Sequence, residues 1–449
     1  MRHLWWIGLW PALLFGQDTA HVEPRSLKDI FLKGSVHGRI RQMNMVTFQS
    51  APLQDHAAGA IGMGISYETA PFHGFQLGFS GSFTFRAFGY QMNSQDSAGL
   101  GFPKFELQLF DVKDPQNHTD LDRLDELYLA FHRKQVWAEV GRITVQSSLI
   151  NPMDTRMKPY TFQGIQGGWH DHKHQISGAF LHRVGPRSTV HWYDMGESIG
   201  AFQSGHQMDG TPSDYAGKTT SPGVGLMHYK FGNEGEKLSV DIWNYLILNV
   251  SNTFHSRVSY TTKRGFMAGL EYLQQGQVGN GGNEVLAHQY FPDQTARIFG
   301  TRVGYHGKKW QLYLNGTWAT REGRFTFPTE WGREQFWSTV ARSRTEGLGG
   351  FQLVNLSLRI HPLKNLFIRT DLAHLRAPKP EEFRLNKYGN VSYTQWNMDI
   401  DYVFHQALEG LHLRFISALK WADDPGLSPE RLFYTANYQH LTLSAQFDF

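Results

Sequence analysis

The 449-residue chain has no cysteine, so neither disulfides nor thiolate metal sites contribute to its stability or chemistry. Beyond the first twenty residues no window offers ~18 uncharged apolar residues, which excludes membrane-spanning helices. Apolar residues make up only 40%, little for a chain long enough to bury a large core. The net charge is +3 with the basic residues dispersed, too little to argue for nucleic acid as a partner. There is no HExxH spacing, no GxSxG and no phosphate-binding glycine loop in strand-to-helix context, and no cofactor is implied.

What the chain has instead is alternation. In Tyr438 to Phe449, Leu441, Leu443, Ala445, Phe447 and Phe449 share one face while His440, Thr442, Ser444, Gln446 and Asp448 share the other. An exposed edge strand with a clean apolar face invites aggregation, whereas a closed transmembrane barrel has no edge and puts lipid on one face and lumen on the other. The first residues read as a secretory signal: Arg2 and His3, an apolar run from Leu4 to Phe15, then small residues at Gly16 and Ala20. The reading is therefore a signal peptide over 1–20 and a barrel over 21–449 in the outer membrane of a Gram-negative bacterium, contacting lipid and lipopolysaccharide. Glycine at 46 residues and aromatics at 14% fit a polar lumen, a thin apolar band and aromatic girdles.

About eighteen candidate strands follow from Lys33 onward. The alternation is clearest in Gly74 to Arg86, Phe266 to Gln275, Leu353 to Ile360, Trp396 to Tyr402 and Leu411 to Trp421. Short, turn-like connections (Arg133–Lys134, Gly307–Lys308, Gln406–Glu409) alternate with long ones, among them Tyr90 to Arg123, Ser148 to Phe162 and Arg321 to Gly349. That is the asymmetry of short periplasmic turns and long extracellular loops. The expectation is all-β: a single 18-stranded antiparallel transmembrane barrel.

A passive pore needs uncompensated lumen charge rather than a catalytic group. Taking the polar side of each strand as inward gives Arg39 and Arg41 on the first strand, Arg86 on the third, Arg302 on the twelfth, Arg359 on the fourteenth, Arg369 on the fifteenth and Arg414 on the seventeenth. A guanidinium keeps its charge and pairs bidentately with carboxylate. Such a file would pass anions stepwise. Each arginine also has a second reading, as the partner of a lumen carboxylate such as Glu126, Glu271, Asp371, Asp399, Asp401 or Asp448; neighbours across strands decide between them.

The segment Val140 to Gly164, VGRITVQSSLINPMDTRMKPYTFQG, runs from a strand through a loop into the next strand. Its Asn151, Pro152, Asp154, Arg156, Met157, Pro159, Thr161, Phe162 and Gly164 resemble the third loop of the OprD family of outer-membrane porins. LKDIFLKGSVHGRIR, YETAPFHGFQLG, FELQLFDVKDP, LDRLDELYL, RSTVHWYDMGESIG, EWGRE and LNKYGNVSYTQWNMDIDY are similar to a long-loop branch of that family. The resemblance implies a monomeric or loosely trimeric barrel whose third and seventh loops, here 148–162 and 321–349, fold inward to narrow the pore. It implies substrates that are small and usually carry a carboxylate, anionic or zwitterionic, met by a basic ladder. Arg156 alone is carried over by motif, as the constriction residue; Lys158 beside it and Arg333 in the seventh loop are its expected companions, since both loops would project into the lumen. Asp154 either shares the constriction or pairs with Arg156 and cancels part of its field.

The residues speak against three other readings. The run Trp169-His-Asp-His-Lys-His174 has metal-ligand types but falls on a predicted turn, where ligands do not converge. An outer-membrane hydrolase of phospholipase or protease type would need a serine, a histidine and an acid or amide near the rim, and no such triad is legible; the chain is read as non-enzymatic. A receptor would need a plug, and about fifteen residues before the first strand leave no room for one.

Overall fold

A computed structural model describes residue 24 and residues 26–99, 101–114, 121–153 and 155–449. The predicted signal segment and Asp154 lie outside the described residues. One antiparallel sheet of nineteen strands closes on itself; setting aside the two-residue Tyr193–Asp194, which pairs only with the seventh barrel strand, eighteen strands build the wall. They are β1 (Ser35–Gln49), β2 (His56–Glu68), β3 (Phe75–Tyr90), β4 (Arg123–Arg133), β5 (Val136–Ile143), β6 (Thr161–His170), β7 (His174–Gly185), β8 (Val224–Phe231) and β9 (Leu238–Ile247). The circuit continues through β10 (Ser251–Thr261), β11 (Phe266–Gln277), β12 (Thr295–His306), β13 (Trp310–Ala319), β14 (Gln352–Leu363), β15 (Leu366–Arg376), β16 (Tyr393–Val403), β17 (Leu411–Ala422) and β18 (Tyr438–Asp448). Closure comes from β1 against β18, with Gln49 opposite Tyr438 and Arg39 opposite Asp448. Each of the eighteen strands pairs with a neighbour on both sides, which is what a strand wall needs in lipid.

The period-two pattern decides which face is wet. On β18 Leu443 and Phe447 are exposed on the outside, while His440, Thr442 and Gln446 are buried in the lumen. On β3 Phe75, Leu77, Phe79, Phe83 and Phe85 face out and Ser82 and Thr84 face in. Outward aromatics gather at both ends of the strands. At the short-turn end Phe75 meets Phe131 with ring centres 4.9 Å apart, Phe266 meets Tyr305 at 5.0 Å, and Tyr305 meets Trp310 at 5.3 Å. At the other end Phe299 stacks on Trp318 at 5.8 Å. These are the two interfacial girdles of a membrane barrel.

The nine connections on the long-loop side span 50–55, 91–122, 144–160, 186–223, 248–250, 278–294, 320–351, 377–392 and 423–437, and are called the first to ninth loops. The fifth is an exception to the expected length; at three residues it is as tight as a periplasmic turn, with Asn249 in the left-handed region at φ 64°. The buried apolar cluster lies inside the cylinder and is largely made of loop residues, including Ile150, Tyr160, Phe325, Trp331 and Phe336, packed on lumen-facing Tyr245, Leu273 and Tyr393. Sequence reading began the strands at Lys33. The structure instead caps a short helix there, α1 (Leu27–Leu32), started by Ser26, whose hydroxyl accepts from the Asp29 amide at 3.2 Å.

Candidate pore constriction

The third and seventh loops meet inside the lumen. The Asn151 side-chain amide donates to the Arg333 carbonyl at 2.8 Å, its backbone amide donates to the Trp331 carbonyl at 3.2 Å, and its side-chain carbonyl accepts from the Arg333 amide at 3.3 Å. The Tyr160 hydroxyl adds a bond to the Thr329 carbonyl at 3.2 Å, and the Gln335 amide donates to the Ser148 carbonyl at 3.0 Å. Only glycine fits at 332. Its φ is 141°, and a Cβ there would sit 2.8 Å from the Asn151 nitrogen.

From this clasp the seventh loop runs along the inner wall. Trp337 donates its amide to Glu271 on β11 at 3.4 Å, and the Ser338 hydroxyl meets Thr317 on β13 at 2.6 Å. The Ala341 carbonyl accepts from Gln395 at 2.6 Å and Asn397 at 3.0 Å, both on β16, and the Arg342 guanidinium donates to Thr442 on β18 at 2.6 Å. Glu271, Gln395 and Asn397, polar side chains of the lumen face, thus find partners in the loop backbone. That explains how polar strand faces remain buried without an apolar partner.

The predicted site residues fall into three groups. Arg156 is 2% exposed; its guanidinium donates to Gln108 of the second loop at 2.8 Å and to the Thr155 carbonyl at 2.8 Å, and among the described residues no carboxylate pairs with it. Its own carbonyl accepts from Arg41, which also grips Gln446 at 2.6 Å. Lys158 is fully buried, and among the described residues its amine has no hydrogen-bond partner. Burial, and then the Arg123 guanidinium, pushes it well below the usual lysine range. The Arg156 guanidinium, delocalised, keeps its proton despite burial, which also lowers it.

Three ladder arginines adopt the paired reading. Arg414 forms a bidentate pair with Asp399 at 2.8 and 2.6 Å, and Arg369 binds Asp371 at 2.7 Å. Arg302 pairs with Glu234, a residue of the β8–β9 turn that sequence reading had not considered, and lies 4.5 Å from the Tyr313 ring centre. Their charges are largely spent within the wall. Arg359, next to Arg369 in register, lies 5.1 Å from the Tyr313 ring centre and forms no ion pair among the described residues. Arg39 and Arg86 face the lumen side, Arg86 exposed at the long-loop rim beside Gln91 and Asn93. Arg333 turns its guanidinium onto the Val340 and Ser343 carbonyls of its own loop, a brace.

Sequence reasoning missed Arg342, which adopts φ 61° in the seventh loop, and Lys420 on β17, whose amine sits 3.6 Å from the Tyr393 ring centre. Position 420 carries the lumen-facing parity of Arg414, so the alternation could have found it; Arg342 lies in a loop, where no period applies. Arg41, Thr155 and Thr442 line one stretch of lumen together with Asp401 and Arg414, and the Arg156 carbonyl and the Arg342 guanidinium bind Arg41 and Thr442 there.

Solved structures show the same architecture. Pseudomonas aeruginosa OccK9 (OpdG) superposes with a TM-score of 0.69 at 13% identity, over 94% of this chain and 99% of its own. Acinetobacter baumannii OccAB4 gives 0.69 at 12% identity over 92% and 98%, and Pseudomonas aeruginosa OpdO 0.67 at 12% over 94% and 98%. The chain has the fold of the OprD-type porins. No protein-family model and no curated protein sequence matches it.

In this OprD-type barrel one serine does stand in series with a histidine and an acid. The Ser148 hydroxyl lies 2.7 Å from His255 Nδ1 and 2.9 Å from the Tyr245 hydroxyl, and His255 Nε2 lies 3.0 Å from Glu271. Ser148 is 1% exposed, the imidazole is stacked on Trp243 at 5.2 Å, and Glu271 is also paired with Arg257 at 2.5 Å. A substrate carbonyl has no approach to that hydroxyl. The series anchors the third loop to β9, β10 and β11. In the histidine-rich turn, Asp171 accepts the amides of Lys173 and His174 at 2.7 Å each, the brace of a tight turn.

A second buried cluster ties the outer loops of the porin fold together. The Lys387 amine of the eighth loop is fully buried, 4.7 Å from the ring centre of Tyr215 (fourth loop), 4.6 Å from Tyr290 (sixth) and 5.2 Å from Tyr388, with Glu346 of the seventh loop 4.0 Å away. Burial pushes Glu346 up to about 7 and Lys387 down to about 8. The folded cap thus holds the Glu346 proton more tightly than an unfolded chain, so its contribution to stability declines as pH rises from 4.5 through about 7. Lys387 acts in the opposite sense above about 8. We expect a higher melting temperature at about pH 5 than at about pH 7.5, and Glu346→Gln should flatten that difference; an unchanged slope in Glu346→Gln would show that another group is responsible.

Proposed function

We propose that the protein is an outer-membrane porin that lets small hydrophilic solutes diffuse passively, preferring those that carry a carboxylate. The observation that carries this reading is Arg156, carried on the third loop that the clasp holds inside the lumen. It is a guanidinium held by neutral acceptors, with no carboxylate pairing with it among the described residues. A charge left uncompensated in a narrow, low-dielectric passage projects its field onto whatever passes. Arg342 and Arg359, which bind hydroxyl and aromatic partners rather than acids, extend the positive lining beyond the clasp. The three acid-paired arginines instead stiffen the wall. Anionic and zwitterionic solutes would exchange hydration for transient guanidinium contacts and leave by the next one.

The chain is proposed to work as a monomer or a weak homotrimer, its outer band in contact with lipid and lipopolysaccharide. Liposome uptake with matched neutral, cationic and carboxylate-bearing solutes tests the selectivity. Faster entry of the carboxylates is expected. Equal rates for all three would leave a non-selective pore, and no uptake of any would refute the channel itself.

A further inference from the structure

Helix α1 lies outside the barrel. The Phe31 carbonyl accepts from the Tyr67 hydroxyl at 2.5 Å and the Ile30 carbonyl accepts from the Ala70 amide at 2.9 Å. Tyr67 shares the outward parity of exposed Ile61, Met63 and Ile65 on β2, and its ring lies 5.6 Å from outward-facing Phe79. The helix is therefore fixed beside the short-turn girdle, on the side of the wall that faces lipid.

Its side chains suit that place. At 100° per residue Ile30, Leu27, Phe31 and Leu32 sweep one arc, and Asp29 and Lys33 lie opposite. Leu27 is 77% exposed, Phe31 54% and Leu32 71%, and no residue of α1 is buried. Six residues are too few to hold a helix without outside support. The apolar arc is continuous with Val36, which is exposed on the outer face of β1. Lys28, which falls within the arc between Phe31 and Leu32, carries an ammonium on a stem long enough to reach a phosphate while its methylenes stay in apolar surroundings.

We propose that α1 is an interfacial anchor seated in the inner leaflet of the membrane, with Leu27, Phe31 and Leu32 at the boundary between headgroups and acyl chains and Lys28 at the phospholipid phosphates. This rests on the barrel reading above, in which the short turns face the periplasm. The anchor fixes the depth of the barrel at the point where the chain enters β1.

The absence of cysteine makes the test direct. Three single-cysteine variants, Phe31→Cys on α1, Val354→Cys on the outer face of β14 and Glu409→Cys in a periplasmic turn, are labelled with a fluorophore and placed in nanodiscs of phospholipid brominated on the acyl chain. Quenching at position 31 approaching that at 354, with 409 unquenched, is the expected result. Quenching at 354 with none at 31 would overturn the anchor and leave the barrel standing. No quenching at either would remove the barrel reading itself. Shielding at 31 that appears only at high protein-to-lipid ratio would assign the apolar arc to a second copy of the chain, and would also overturn the proposal.

Discussion

Arg156→Met is expected to lower the anion-over-cation permeability ratio by about fivefold while leaving the barrel folded. The estimate comes from one unit charge ~8 Å from a passing carboxylate at an effective dielectric of ~20, about 2 kcal/mol, of which about half survives screening at physiological salt. Methionine keeps most of the buried volume, and the Arg156 carbonyl that receives Arg41 is backbone and stays in place. Arg156→Lys should restore much of the ratio, since the charge is what matters. Reversal potentials in asymmetric salt give the ratio directly. A wild-type value in Arg156→Met would move the selectivity to Arg342 and the wall.

Gly332→Val should open the channel. The added atoms collide with Asn151 across the clasp, and φ 141° is closed to a β-branched residue. The strain, about 1–3 kcal/mol, acts on the contact that holds the third and seventh loops together. We expect larger single-channel conductance, poorer discrimination among solutes and a lower melting temperature. Asn151→Leu removes the other half of the clasp and should act in the same direction. If both variants conduct as wild type does, the clasp is not the narrowest part of the lumen.

The wall was legible because its rule is local. Every strand with lipid on one side and polar lumen on the other repeats every two residues, so Leu441 to Phe449 or Phe75 to Arg86 announce themselves without knowledge of neighbours. The fate of lumen charge is not local. Arg414 stands opposite Asp401 in the β16–β17 register and reaches Asp399 on the diagonal, and Glu234 reaches Arg302 from a turn 68 positions away. Third-loop residues were found through a motif, which singled out Arg156 but did not show that Gln108 and Thr155 bury its head. Helix α1 escaped because six residues carry less than two turns of periodicity. The Lys387 cluster draws on four loops, and no spacing within one segment can announce such a meeting.

The placement of the oily cluster inside the cylinder has a consequence for how the molecule fails. Hydrogen bonds circling the sheet hold the staves, whereas the stopper of Trp331, Phe336 and Tyr160 is held by loop contacts of a different kind. Mild heat or denaturant should dislodge the stopper first, so the molecule becomes leaky while its hoop is still whole.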